Sequence, residues 1–276
     1  VHTLALSMLL TPSISSITTS PCPQTPTASL LAPHPWTMDG IDLESSLVAH
    51  GLEFTFRGRA AHAAVNPHEG INALDAMIIM FSSVGLLRQQ IRPDARIHGV
   101  IINGGSAPNV IPNYTVCRFR VRASDPEYAS ALVERVIACA QAGAQATGAT
   151  MEWHEYTRPY LNKKPNHALG AILRANLRAI GRDVKERRER TGAGSTDFGN
   201  VSHHIPTVCA YLGICGSEAG WHTKEVAEAT RTERGHAAII AGAKGLAMTA
   251  LDVLIDEASR AQIQQEHRER IASERR

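Results

Sequence analysis

Four short stretches of this sequence hold residues that could do chemistry. His62 stands in "GRAAHAAVNPHEG", a titratable ring among alanines. A buried core would fill such a position with leucine, whereas a ring that must reach out, or be reached, needs small neighbours. His34 lies in "LLAPHP", and Asn109 in the turn-rich loop "GGSAPNVIP". His222 follows a tryptophan in "GWHTKE", a tight loop after a strand-like run, and loops at strand ends are where α/β sites sit. Proton transfer and metal ligation are the ordinary work of such imidazoles. Each also has a plainer reading. A histidine followed by proline is commonly a surface or loop residue, and Asp197 in "GSTDFGNVSHH" could cap a helix. His203 and His204 are adjacent, so they cannot easily address one ion and read as structural.

Composition narrows the classes. A net charge of +2, from 28 basic and 26 acidic residues, gives no electrostatic case for nucleic acid or an anionic membrane. No apolar run reaches the roughly 18 residues that suggest a spanning helix. The five cysteines (Cys22, Cys117, Cys139, Cys209 and Cys215) include no C-x-x-C and fit neither a disulfide framework nor a structural zinc site. They read as free thiols in a reducing, cytoplasmic setting. "LALSMLL" near the start has no basic segment before it and no clear cleavage site after it, so a signal peptide is not favoured. Residues 1–28, rich in Ser, Thr and Pro, read as a disordered or linker arm.

Elements must position the four stretches. "LEFTFR" (residues 52–57) alternates as a half-buried strand. Asn66, Pro67 and Glu69 then form a helix-start signature, followed by Ile71, Leu74, Ile78, Phe81, Val84 and Leu87 at helical spacing. "RIHGVIING" is a second strand. "TVCRFRVR" alternates Cys117, Phe119 and Val121 against Arg118, Arg120 and Arg122, a sheet with one solvated face rather than an anion site. "SDPE" opens another helix, with Leu132, Val133, Val136, Ile137 and Ala140 as its stripe, and "TMEWHEYT" is a fourth strand. The order is strand, helix, strand, strand, helix, strand: a ferredoxin-like βαββαβ unit over residues 52–158. Flanking segments, residues 29–51 and 159–260, hold helices and a buried strand "TVCAYLGI", so the small unit reads as an insertion in an α/β domain. Residues 233–258 read as a long Ala-rich helix and residues 261–276 as a charged tail.

Taken in order and spacing, "FRGRAAHAAVNPHEGINALDA", "GGSAPNVIPNYTVCRFRVRA", "GSTDFGNVSHHIPT" and "GWHTKE" resemble the di-zinc amidohydrolases of aminoacylase and carboxypeptidase type. The nearest branch in character is that of aminobenzoyl-glutamate hydrolase and β-alanyl-lysine dipeptidase-like peptidases. The resemblance covers about residues 29–250 and implies hydrolysis of an amide bond in a dipeptide or N-acyl amino acid, with two zinc ions per site. It makes the inserted unit a lid that also dimerises, so that the chain is a homodimer. It makes His62 a catalytic residue that reaches the partner subunit's site and helps hold the oxygen that becomes negative. It makes Asn109 a substrate contact, and His34 and His222 metal ligands. The family's H-x-D segment and E-E pair, which bring the bridging aspartate and the carboxylate base, occur nowhere in this sequence, and no spacing marks Asp197 or Glu225 as a substitute. The implied fold is an incomplete catalytic α/β domain with an inserted ferredoxin-like lid. A non-catalytic dimerisation module, or a truncated paralogue paired with a full-length homologue, is the alternative.

Overall fold

The computed structural model describes residues 29–185, 194–216, 219 and 223–273; the arm expected at residues 1–28 lies outside them. In chain order the elements are β1 (Leu30–Trp36), β2 (Gly40–Asp42), β3 (Val48–Arg57), α1 (Ala73–Leu87), β4 (Arg96–Asn103), β5 (Tyr114–Ala123), α2 (Pro126–Thr147) and β6 (Thr150–Tyr160). They continue with α3 (His167–Ala179), α4 (Phe198–Ser202), β7 (Thr207–Gly213), α5 (Lys224–Ala229), α6 (Glu233–Ile255) and α7 (Glu257–Ser273). They fall into two compact units: Ser46–Asn162 with Gly192–Asp197, and the remainder.

In the first unit the sheet order is β4-β5-β3-β6, antiparallel throughout, which is the ferredoxin-like arrangement. Strict alternation along β5 buries Cys117, Phe119 and Val121 and turns Arg118, Arg120 and Arg122 to the other face. Helices α1 and α2 cover the apolar face, with Phe54, Phe56, Met77, Met80, Leu132 and Val136 fully buried between the layers. The helices approach closely at Gly143, where a Cβ would lie 2.2 Å from the carbonyl oxygen of Ala76. Asp125 caps α2 through the amide of Tyr128, with Pro126 at the first position.

The entry to α1 differs from the sequence expectation. Asn66 and Pro67 open only a single 3-10 turn, Pro67–Glu69, and the Asn66 side chain caps no backbone amide. The helix proper starts at Ala73, capped by Asn72, whose side chain accepts from the amides of Leu74 and Asp75. The cause is a strand-like clasp just before it: Arg59 and Ile71 bridge, and a Cβ on Gly58 would lie 2.0 Å from the Ile71 carbonyl oxygen. The buried face shifts accordingly to Ala73, Ala76, Met77, Met80, Val84 and Leu87, and Ile78 is exposed.

In the other unit β7 lies between β1, to which it is parallel, and the three-residue β2, to which it is antiparallel. Leu30 donates its amide to the Pro206 carbonyl, so the even-numbered amides of β1 face β7 and the odd-numbered ones face outward. Pro33 and Pro35 remove two of those outward donors, a way of finishing a sheet edge. α3 and α6 pack on the sheet around Leu31, Leu173, Leu177, Val208, Leu212 and Leu246. The residues expected as one helix over 233–258 break at Asp256, and the charged tail continues as helix α7. α7 docks by Ile263 and by the Glu266 carboxylate, which accepts from the first amides of α3, those of His167 and Ala168, at 2.7 and 2.8 Å.

The α7 contact is surrounded by cationic groups. His267 is buried and its ring bonds to the backbone of His204. Burial first, then the charges of His203 and His204, hold the His267 pKa below the ordinary 6.5 despite that bond. Lys164, shortly before α3 in the chain, is also buried, and its pKa is lowered to about 8 by burial and by Arg270. The folded state therefore resists protonating His267: its contribution is complete above 6.5 and is lost as pH falls below that value. Lys164, centred near 8, adds only a small fall of the same sign at the upper end of this window. Thermal midpoints measured from pH 7.5 to 5 are expected to fall, and His267→Gln is expected to flatten that fall.

Candidate active-site loops

His62 and Asn109 lie far apart in sequence, and the fold brings them onto two loops stitched together at one end of the four-stranded sheet. Gly58 donates to Asn113, Ile111 to Ala61, Ala63 to Asn109 and Ala73 to Pro112, all backbone to backbone at 2.8–3.0 Å. His62 and Val110 form an antiparallel bridge between the loops. The His62 ring is exposed, and the alanines about it leave it accessible. Its Nδ1 accepts from the amides of Ala64 and Val65, at 3.2 and 3.3 Å. In the neutral ring that places the proton on Nε2, making the outer nitrogen a hydrogen-bond donor. A donor on an exposed, backbone-braced loop can stabilise an oxygen that gains negative charge.

His34 shows the opposite tautomer. It sits on β1, not in a loop, and its Nδ1 donates to the Pro35 carbonyl at 2.7 Å, so the Nε2 position carries the lone pair. That is the arrangement of a metal-ligating histidine, whose other nitrogen is held by a carbonyl. Its ring meets those of Trp36 and Tyr211 edge-on at 6.1 and 5.9 Å. Behind Tyr211 lies a buried group that the sequence did not announce. The Tyr211 hydroxyl donates to Asp42 Oδ2 at 2.6 Å, and the Lys163 ammonium pairs with the same oxygen.

The remaining candidates separate. His222 lies outside the described residues. Asp197 belongs with the four-stranded unit, where its carboxylate accepts from the Thr196 hydroxyl, and Glu225 stands in the first turn of α5. Cys117 is no nucleophile: burial pushes its thiol up to about 12. Among the described residues no three His, Cys, Asp or Glu side chains converge on a point where a metal ion could sit. A zinc pair needs about five protein ligands. The described residues offer His34 in a suitable tautomer and do not make up that set.

The arginine row is less uniform than its pattern. Arg118 is exposed and paired with Glu53 at 2.6 Å, as a solvated face requires. Arg122 is half-buried opposite Arg96 in the ladder, its Nε is buried without a hydrogen-bond partner, and burial followed by the charge of Arg120 lowers its pKa. Opposed like charges destabilise a sheet. Arg122→Met is expected to raise stability in urea by up to about 1 kcal/mol; a loss of stability would mean that the charge has a favourable partner.

Residues 48–147 match the family described as the peptidase dimerisation domain. The chain is 37% identical over 211 residues to the Xaa-Arg dipeptidase of Mus musculus, covering 76% of this chain and 49% of that protein. It is 24% identical over 291 residues to one of the p-aminobenzoyl-glutamate hydrolase proteins of Escherichia coli K12, covering 86% of this chain and 60% of that one. The fold superposes with a TM-score of 0.60, at 18% identity, on the aminobenzoyl-glutamate utilization protein of Klebsiella pneumoniae, over 81% of this chain and 54% of that one. The chain thus spans about half the length of the curated dipeptidases it matches. With a sheet of this topology, its histidine and asparagine loops joined, and dipeptidases among the relatives of the chain by sequence, residues 48–147 belong to the peptidase dimerisation domain of the M20 family.

Proposed function

We propose that this chain works in amide-bond hydrolysis on dipeptides or N-acyl amino acids, as the dimerising lid that lends His62 and Asn109 to an active site. The observation that carries the reading is the His62 ring, exposed on a loop bridged to the Asn109 loop, with two backbone amides on Nδ1 that leave Nε2 as the donor. As the carbonyl of a scissile amide is attacked, its oxygen becomes negative and an Nε2–H group can hold it. Asn109 on the joined loop would orient the substrate. The names of the relatives, Xaa-Arg dipeptidase and p-aminobenzoyl-glutamate hydrolase, support the substrate class.

Zinc enters as the family's metal. Bound in a complete site it polarises the carbonyl and activates water. His34, with its lone pair on Nε2, and His222 are the residues of this chain that would face it. The lid's proposed part is to act in trans, beside a catalytic domain whose ligand set is complete. The free thiols at Cys117, Cys139, Cys209 and Cys215 support a reducing, cytoplasmic setting.

Dimerisation through the lid is supported by β4. It is one of the two edge strands of its sheet, and Val100, Ile101 and Ile102 are 56%, 46% and 52% exposed. An exposed apolar edge is a template for pairing with a second chain. The test is sedimentation of wild type and Ile101→Lys. The wild type is expected as a dimer and the variant as a folded monomer; an unchanged mass in the variant would contradict the lid interface.

A further inference from the structure

Two of the backbone bonds that join the His62 and Asn109 loops also fix a side-chain pair. Ala63 donates to the Asn109 carbonyl and Ile111 to the Ala61 carbonyl, each at 3.0 Å. They close on either side of the His62–Val110 bridge, which makes it a non-hydrogen-bonded pair. In such a pair the Cα atoms stand about 4.5 Å apart and both side chains leave the same face. Val110 therefore stands alongside the His62 ring. It is 40% exposed and lies outside both hydrophobic cores. Its neighbour Ile111 does the packing for this loop, since a Cβ on Gly70 would lie 2.7 Å from Ile111 Cδ1. The Val110 amide donates to Ala107 at 3.2 Å, and a β-branched side chain on so braced a loop is a stiff wall. A single exposed valine is ordinary on a protein surface. This one shares a face with a hydrogen-bond donor. Residues 60–65 and 104–112 around the pair carry no Asp, Glu, Lys or Arg, so the donor's surroundings are uncharged apart from the ring itself.

We propose that Val110 determines specificity for the acyl half of the substrate, receiving an uncharged, aliphatic acyl chain beside the carbonyl oxygen that His62 holds. The proposal rests on the donor role given to His62 above. An imidazole reaches further from its backbone than a valine does. An oxygen at Nε2 therefore lies beyond Val110, and the chain that folds back along the ring meets the valine a few carbons from the carbonyl. The amino-acid half of the substrate bears a carboxylate close to the scissile bond, and an apolar wall would strip that charge of water without pairing it. The acyl half is the one that can be apolar throughout. Its contact with Val110 also keeps water from the oxygen, which strengthens the bond from Nε2.

The experiment uses mixed dimers of the full chain with the mouse Xaa-Arg dipeptidase carrying alanine at its lid histidine, so that turnover reports sites completed by this chain. The substrates are N-pentanoyl-arginine and its charged isostere N-(4-aminobutanoyl)-arginine. Val110→Ala is expected to lower kcat/KM for the pentanoyl substrate about tenfold, and that for the charged isostere by no more than about twofold. Val110→Thr keeps the shape and adds a hydroxyl, and should move the ratio of the two in the same direction. Equal losses on both substrates would mark a loop defect and overturn the proposal, as would a ratio that neither variant moves. If the wild-type chain restores turnover of neither substrate, the donor role of His62 falls and this proposal with it. Restored turnover with an unmoved ratio removes the specificity role alone.

Discussion

Lys163→Met is expected to destabilise its unit by about 3–5 kcal/mol, the cost of leaving one member of a buried ion pair behind. Lys163 and Asp42 are 4% and 6% exposed, and the Lys163 ammonium meets the Tyr211 hydroxyl at one carboxylate oxygen of Asp42. Removing the ammonium takes its charge from that carboxylate, in a setting where water cannot replace it. The double variant Lys163→Met/Asp42→Leu separates this from simple loss of packing. Replacing a whole buried pair by apolar residues is commonly neutral or stabilising, so the double variant should recover most of the loss. Tyr211→Phe should cost about 1.5–3 kcal/mol, the worth of a hydrogen bond to a charged group. Urea unfolding followed by near-ultraviolet circular dichroism, which reports the Trp36–Tyr211 ring contact at 4.4 Å, reads all three.

The second large effect is chemical. In mixed dimers with a full-length relative that lacks its own lid histidine, His62→Ala is expected to lower the kcat restored by this chain about 10²–10³-fold, the usual loss of an oxyanion donor. Stability should hold, because the ring is exposed and the loops are joined by backbone bonds that alanine keeps. His62→Gln retains an N–H donor and should restore part of the rate. A general base would gain nothing from glutamine, so this variant distinguishes donation from proton abstraction.

What could be read from residues alone follows the range of the forces involved. The alternation of Cys117, Phe119 and Val121 with arginines and the Asp125–Pro126 helix start are local patterns, and both stand in the structure. The order of elements then carries the ferredoxin-like sheet. The start at Asn66 misleads because a tertiary contact, Gly58 against Ile71, overrides a good local signature and hands the cap to Asn72. His62 stands out by its alanine neighbours, but its tautomer depends on the fold of the Ala64–Val65 turn. Lys163 and Lys164, adjacent and polar, look solvated in sequence. Only pairing with Asp42, over a hundred positions away, reveals the first as a core residue. The buried face of α6 is hidden in the same way, since its small residues with Leu246 and Val253 look no more apolar in sequence than the exposed Ile239, Ile240 and Leu254 until the sheet is seen beneath them.

The central claim is that this chain lends His62 to a partner's active site. It is tested most directly by dipeptide turnover in mixed dimers between this chain and a full-length M20 dipeptidase carrying alanine at its lid histidine. The account predicts that wild type restores turnover, that His62→Ala fails to do so by at least about 10²-fold, and that the two dimers have the same mass. Equal turnover with His62 and with alanine, in dimers of equal mass, would contradict it.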